Sequence, residues 1–314
     1  MVDLALLGCG GGMPIPERYL SSLLISYKGR KILPDCGEGT QVSMKILGWG
    51  FKSIDVICIT HGHADHIVGL PGILATIGNS GRTEPITIIG PKGITDIVKG
   101  LRVAAPYLPY ELNILENPHE PVKIQASLNC TNTSVGEFND LIISTLELEH
   151  STDCLGYSLY FNRKPKFDVV SADKNEIPKE YWSRLQKNEI INEYGKTYLP
   201  SMVMGKERIG IKISFITDTR PTPNIKTFIK GSDLFICEGT YGNEDDIEKA
   251  IRNKHMTFSE AAELALGGDV QELLLTHFSP SMISPEEYKD RAEGIFKNTI
   301  IGSDRFVRTM SFKD

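Results

Sequence analysis

No stretch of the 314-residue chain approaches the ~20 consecutive apolar residues of a membrane-spanning helix, so no membrane partner is expected. The N-terminal MVDLALLGCGGGMP has no basic leader, and glycines cut its apolar stretch short; no signal peptide is expected. The six cysteines (Cys9, Cys36, Cys58, Cys130, Cys154, Cys237) are scattered, with no CxxC pair. That spacing excludes a dense disulfide scaffold and a zinc ribbon, and reads as reduced, mostly buried thiols of a cytoplasmic protein. Repeats, low-complexity tracts and a clear linker are missing as well. There is no excess of positive charge: 34 Lys and Arg against 40 Asp and Glu give a net −6. A protein that grips nucleic acid with its whole surface is therefore not expected.

One segment runs against that balance. Residues 160–212 hold eleven Lys and Arg against seven Asp and Glu, a local +4 that leaves −10 for the rest. Such a stretch is either a solvated, variable insertion or an arm that approaches the phosphates of a substrate.

The remainder has the composition of a soluble globular protein, 40% hydrophobic and 24% charged, and the length of one large α/β domain or two smaller ones. Leu4 to Leu7 is a short apolar run ending in the glycine turn GCGGG. Ser22 to Tyr27 and Lys31 to Pro34 read as a hairpin about Lys28-Gly29-Arg30. Asp55 to Thr60 is a continuous, β-branched apolar run, which predicts a strand buried on both faces; Ile86 to Ile89 predicts another. Later apolar runs each end at a residue able to bind a metal or a proton: Lys212 to Thr217 at Asp218, Asp233 to Cys237 at Glu238, Leu273 to Thr276 at His277. Helices are predicted over Phe258 to Leu266, capped by Thr257, and over Pro285 to Phe296, introduced by Ser284.

The strongest signal is THGHADH, residues 60–66. It crowds His61, His63, Asp65 and His66 into six residues directly after a predicted buried strand. Imidazole suits zinc, and a carboxylate can complete or bridge a site. Four donors this close do not easily serve one tetrahedral ion; the spacing suits two. His150, Asp218 and His277 each lie at the end of a strand-like run. Singly each could be a cap, a turn residue or a surface side chain. Together they supply one more ligand per ion and one shared carboxylate.

HGHADH resembles the metal motif of the metallo-β-lactamase fold. The series LLGCGGGMPIPERYLSS, DCGEGTQ, ITHGHADHIVGLPGIL, LEHSTDCLGYSL, FITDTRP, CEGTY, KHMTFSEAA and LLLTHFSPS is similar, in order, to the ribonuclease Z family. The resemblance spans residues 6 to 281 and is poor over about 100–140 and 160–210. It implies an α/β fold, an αββα four-layer sandwich over residues 1–314 as a single domain, with the basic segment at about 160–212 as a variable insertion or arm. It implies one zinc on His61, His63 and His150, a second on Asp65, His66 and His277, and Asp218 as the bridge; manganese or iron can occupy such sites. Glu238 and His255 would be the pair that protonates the leaving oxygen, and Asp65 would also orient or deprotonate the attacking water. The activity implied is removal of the 3′ trailer from precursor tRNA by metal-activated hydroxide, in a cytoplasmic homodimer. The alternative is hydrolysis of a small phosphodiester such as a cyclic nucleotide. Among other residues, Asp35 is a candidate to orient the metal loop. The GCGGG glycines read as turn punctuation or as a phosphate-approaching backbone. His119 reads as a surface residue, Trp49 and Trp182 as packing, and Arg220 as a salt bridge or a phosphate contact.

Overall fold

The structure, a computed structural model, describes residues 1–124 and 140–313; Cys130 lies outside them. In chain order the strands are β1 (Val2–Gly8), β2 (Ser22–Tyr27), β3 (Arg30–Pro34), β4 (Ile54–Cys58), β5 (Ile86–Gly90), β6 (Leu112–Glu116), β7 (Val122–Ile124), β8 (Leu141–Leu148) and β9 (Cys154–Arg163). There follow β10 (Ile191–Glu193), β11 (Lys196–Tyr198), β12 (Arg208–Ile216), β13 (Leu234–Glu238), β14 (Leu273–Thr276), β15 (Thr299–Ile301) and β16 (Phe306–Met310). Among the described residues they form two seven-stranded sheets, ordered β16-β1-β2-β3-β4-β5-β6 and β15-β14-β13-β12-β9-β8-β7, and a small β10-β11 ribbon. In each large sheet one half is antiparallel and the other parallel, and the parallel runs are β3 to β6 and β12 to β15.

Alternation along the strands explains the layering. On β1, Leu4 and Leu6 face the second sheet while Ala5 and Leu7 face helices. Those helices, Thr40–Leu47, Leu70–Asn79 and Ile94–Leu101, cover the outer face of the first sheet through Met44, Ile73, Ile77 and Val98. Helices Pro223–Ile229, Phe258–Gly267 and Lys289–Glu293 cover the second through Ile225, Ala261, Ala265 and Ala292. Between the sheets Tyr27 meets Phe161 edge-on, and the buried Tyr157 hydroxyl donates to the carbonyls of Ile59 and Ile89. The result is the expected four-layer αββα sandwich.

The hairpin β2-β3 turns on two residues, Lys28 (φ 51°) and Gly29 (φ 77°), the left-handed pair a tight primed turn requires. The β4 strand stops two residues before the predicted Thr60, because the Thr60 amide donates to the Asp35 carboxylate instead of a neighbouring strand. The helix predicted over Pro285 to Phe296 is broken: a 3₁₀ turn, Pro285–Tyr288, precedes a short helix, Lys289–Glu293. Ser284 makes no capping hydrogen bond to hold a wider first turn. By contrast Thr257 and Glu260 form a full capping box ahead of Phe258–Gly267.

Between β9 and β12 the chain builds a small core of its own. Ala172, Tyr181, Leu185, Ile191 and Val203 are buried against Phe167, Trp182 and Met204, apart from the two larger cores. Trp182 is packed there, its indole N–H on the carbonyl of Ile177, and Trp49 packs on the first sheet's outer core. The last strand, β16, returns to the first sheet and pairs antiparallel with β1.

Candidate metal and catalytic site

The carboxyl ends of the parallel strands of both sheets meet at one rim, the place where open α/β sheets gather functional side chains. Asp35 follows β3, and the 60–66 loop follows β4. Asp218 follows β12, Glu238 ends β13, and His277 follows β14. Asp35, Asp218 and His277 take left-handed backbone conformations (φ 55°, 49° and 59°), uncommon for residues other than glycine. These turns swing the side chains across the strand ends. Six of the seven histidines converge here; the seventh, His119, is exposed in a loop.

The donors fall into two groups, with a third set, Asp218, His255 and His277, overlapping both. His61, His63, His150 and Asp218 bring donor atoms within 4.8 Å of one another, and Asp65, His66 and His277 do the same. Asp218 stands between them. Its Oδ2 lies 3.7 Å from His61 Nε2 and 3.8 Å from His150 Nε2. Its Oδ1 lies 3.3 Å from His66 Nε2 and 3.2 Å from His277 Nε2. One carboxylate thus turns an oxygen to each group.

The residues fit a metal on two counts. The donor set is imidazole and carboxylate, which suits zinc and other divalent ions. His61 Nε2 and Asp218 Oδ1 are buried and make no hydrogen bond, a costly state that a cation would relieve. Electrostatics agree. Burial and the neighbouring His66 push the His61 ring well below the usual imidazole pKa, so it is neutral with a lone pair to give. Burial raises the Asp65 carboxyl, but hydrogen bonds from His277 and His66 outweigh it and hold the group well below the usual range. Asp218 is likewise held low against its burial by His277, His66 and His61.

Several of these side chains are oriented from behind. His66 Nδ1 is 2.7 Å from Asp35 Oδ2, and Asp35 also receives the Thr60 amide at 2.9 Å and the Thr60 hydroxyl. His150 Nδ1 points at the carbonyl of Lys254, 3.3 Å away. Asp65 Oδ2 accepts the amide of Gly12 at 2.6 Å. The neighbouring Gly11 has no room for a side chain: a β-carbon there would lie 2.3 Å from the His277 ring. At Gly11 and Gly12 the glycine loop lets the backbone close on the cluster.

Glu238 and His255 form a pair beside the two groups. His255 Nδ1 is 3.1 Å from Glu238 Oε2, and the buried carboxylate also receives the amides of Thr219 and Met256. Burial lowers the His255 pKa, but the charges of Glu238 and Asp218 outweigh it and carry it up to about 9. Arg220 makes a two-pronged ion pair with Glu260 and donates to the carbonyl of His255, so it clamps that segment instead of facing substrate. His63, Asp65, His150, Asp218, His255 and His277 border an open cleft of about 510 Å³, whose other walls include Gly12, Tyr241, Arg252 and Pro280.

Comparison with known proteins fits this geometry. A family model described as Anti-Pycsar protein Apyc1 matches residues 2–198. Ribonuclease Z of Clostridium beijerinckii is 60% identical over the full length of both chains. The chain belongs to the ribonuclease Z family. Human tRNase Z, short form, shares the fold, with a TM-score of 0.67 at 21% identity over 99% of this chain and 100% of that one. The metallo-β-lactamase fold protein YhfI of Bacillus subtilis gives 0.65 at 18% identity over 98% of each. The expected αββα sandwich of the metallo-β-lactamase type is borne out.

In this ribonuclease Z family member every predicted site residue lies at the rim: His61, His63, Asp65, His66, His150, Asp218, Glu238, His255 and His277. Sequence reasoning passed over Thr60 and Thr240, whose hydroxyls each touch a carboxylate and a ring of the cluster. The available signal was position: Thr60 directly precedes His61, and Thr240 stands two residues after Glu238.

Proposed function

We propose that this protein is a metal-dependent endoribonuclease that removes the 3′ trailer from precursor tRNA, leaving a 3′-hydroxyl on the tRNA. The observation that carries the reading is Asp218, one oxygen turned to each of two donor groups, in a chain whose full-length relative is named ribonuclease Z. His61, His63 and His150 would hold one zinc, Asp65, His66 and His277 the other, with Asp218 shared; manganese or iron suit the same donors. When bound, such a pair supplies positive charge against a phosphodiester and lowers the pKa of water toward neutrality.

The remaining work falls to side chains. Asp65 borders the cleft and, ionised, accepts a hydrogen bond from water and a proton as attack proceeds. The departing sugar oxygen is strongly basic and needs a proton. His255 borders the same cleft, with Nδ1 on Glu238, leaving Nε2 to deliver it. Glu238 keeps that ring charged by holding its own negative charge among four donors: two amides, the Thr240 hydroxyl and the imidazole.

The segment between β9 and β12 is read as an arm that grips the tRNA body. Its separate core gives it a shape of its own. Lys174, Lys179, Lys187 and Lys196 are exposed on it. In a homodimer the arm of one subunit would present tRNA to the site of the other. Acting on precursor tRNA, the protein would work in the cytoplasm.

The test is a paired assay on a metal-analysed sample, precursor tRNA carrying a 3′ trailer against bis(p-nitrophenyl) phosphate. Accurate cleavage beside the acceptor stem is expected from the wild type. Asp218→Ala should lose bound metal and all detectable turnover of both substrates, a drop of about 10³-fold or more. Turnover of the small ester without tRNA cleavage would discard the tRNA reading and leave the small-phosphodiester alternative. Full activity of Asp218→Ala with normal metal content would remove the shared carboxylate.

A further inference from the structure

Thr240 is buried and its hydroxyl lies within hydrogen-bond distance of three functional side chains. Oγ1 is 2.6 Å from Glu238 Oε2, 3.1 Å from His277 Nδ1 and 3.3 Å from His255 Nδ1. A hydroxyl has one proton and two lone pairs, so at most one of these contacts is a donation.

Counting protons decides which. Glu238 already accepts from the amides of Thr219 (2.7 Å) and Met256 (3.1 Å) and from His255, and an ionised carboxylate has no proton to offer. An O–H···O⁻ contact of 2.6 Å is of the short, charge-assisted kind, so the Thr240 proton goes to Glu238 in preference to the His277 carbonyl 3.1 Å away. The Thr240 oxygen is then left to accept. With Nε2 given to a metal, the ring's one proton sits on Nδ1, and His277 donates it to Thr240 at 3.1 Å. Nε2 is the atom 3.2 Å from Asp218 Oδ1, 3.4 Å from Asp65 Oδ2 and 3.1 Å from His66 Nε2, among the other donors of the cluster.

The first sheet repeats the device with different residues. The Thr60 hydroxyl lies 3.0 Å from both oxygens of Asp35 and 3.1 Å from His61 Nδ1. The Nε2 of His61 is the buried atom without a hydrogen bond. Two unrelated stretches of chain thus place a carboxylate, a threonine and the inner nitrogen of a cluster histidine in one line.

We propose that Thr240 is a positioning residue for the metal site: with its proton committed to Glu238, it takes Nδ1–H from His277 and presents the Nε2 lone pair of that ring to a metal. The same oxygen ties the proton-donating pair to the metal group, so His255 and His277 keep a fixed spacing. The inference rests on the metal reading given above.

Zinc affinity by competition with a chromophoric chelator tests it, on the full-length wild type, Thr240→Val and Thr240→Ser. Valine keeps the shape and removes the hydroxyl. It should weaken one zinc site about 10–100-fold, the usual effect of losing a partner behind a metal ligand. Serine should restore the affinity. Long-range ¹H–¹⁵N spectra of the histidine rings give a second readout: in wild type His277 should carry its proton on Nδ1. Wild-type zinc affinity in Thr240→Val, or a serine variant as weak as the valine one, would overturn the inference. So would a His277 proton on Nε2 in wild type, a measurement that stands even where Thr240→Val does not fold. A wild type that binds no zinc would sink the metal reading, and this inference with it; a wild type that binds zinc while Thr240→Val binds it equally well would sink the inference alone.

Discussion

Asp35 and Glu238 sit at matching places in the two sheets. Each lies at the carboxyl end of a parallel strand, each is fully buried, and each receives at least one backbone amide, a threonine hydroxyl and an imidazole. They differ in where the imidazole leads. The ring on Asp35 is His66, which is itself buried and turns its other nitrogen toward Asp218 and His277. The ring on Glu238 is His255, partly exposed, which borders the cleft. One carboxylate therefore ends in the metal group and can only hold it. The other ends at the cleft and can pass a proton to a leaving group. The same local chemistry becomes scaffold or catalyst according to what stands on the far side of the ring.

Three experiments sharpen or break that contrast. The largest effect is expected at His255. His255→Ala should slow cleavage by about 10²–10⁴-fold, the range for losing a general acid, while metal content stays near wild type. If the variant loses metal instead, His255 belongs with the ligands and the contrast fails. Next comes Asp35→Asn, which keeps a residue tolerant of the left-handed backbone but removes the charge behind His66. Metal affinity should fall about 10–100-fold, and turnover should largely return when metal is supplied in excess. Turnover that stays low at saturating metal would give Asp35 a part in the chemistry. The smallest effect concerns binding alone. Phe167 and Met204 pair as an isolated bridge at the base of the arm, so a short linker can replace residues 168–203 without cutting either large sheet. KM for precursor tRNA should rise about tenfold as phosphate contacts are lost, with little change for bis(p-nitrophenyl) phosphate. An equal rise for both substrates would deny the segment a gripping role.

The sequence carried the cluster because its donors are either adjacent, as in His61 to His66, or stand at the end of an apolar run, as do Asp218, Glu238 and His277. Strands buried on both faces announce themselves as continuous apolar stretches, and whatever follows them lands at a rim. The supporting residues Asp35 and Arg220 could be named from the sequence, but their partners could not. Asp35 reaches His66 because β3 lies beside β4, and Arg220 reaches Glu260 because the turn after β12 lies against the helix Phe258–Gly267. These pairings depend on sheet order, which periodicity does not encode. The broken helix after Ser284 fails for a local reason: a proline at the first position marks where a helix can begin but does not widen a first turn that has no cap.

The return of β16 to the first sheet has a bearing on synthesis. On a ribosome, domains assemble from the N-terminus onward. Here β1 keeps a bare edge until β16 arrives, and β16 is made after all the other described strands. Asp304, just ahead of β16, accepts the amides of Cys9 and Tyr19 on either side of the glycine loop that closes on Asp65 and His277. The rim is therefore locked by a segment translated after all of its donors. A nascent chain would carry every donor of the site before it carried the carboxylate that ties down the glycine loop beside them.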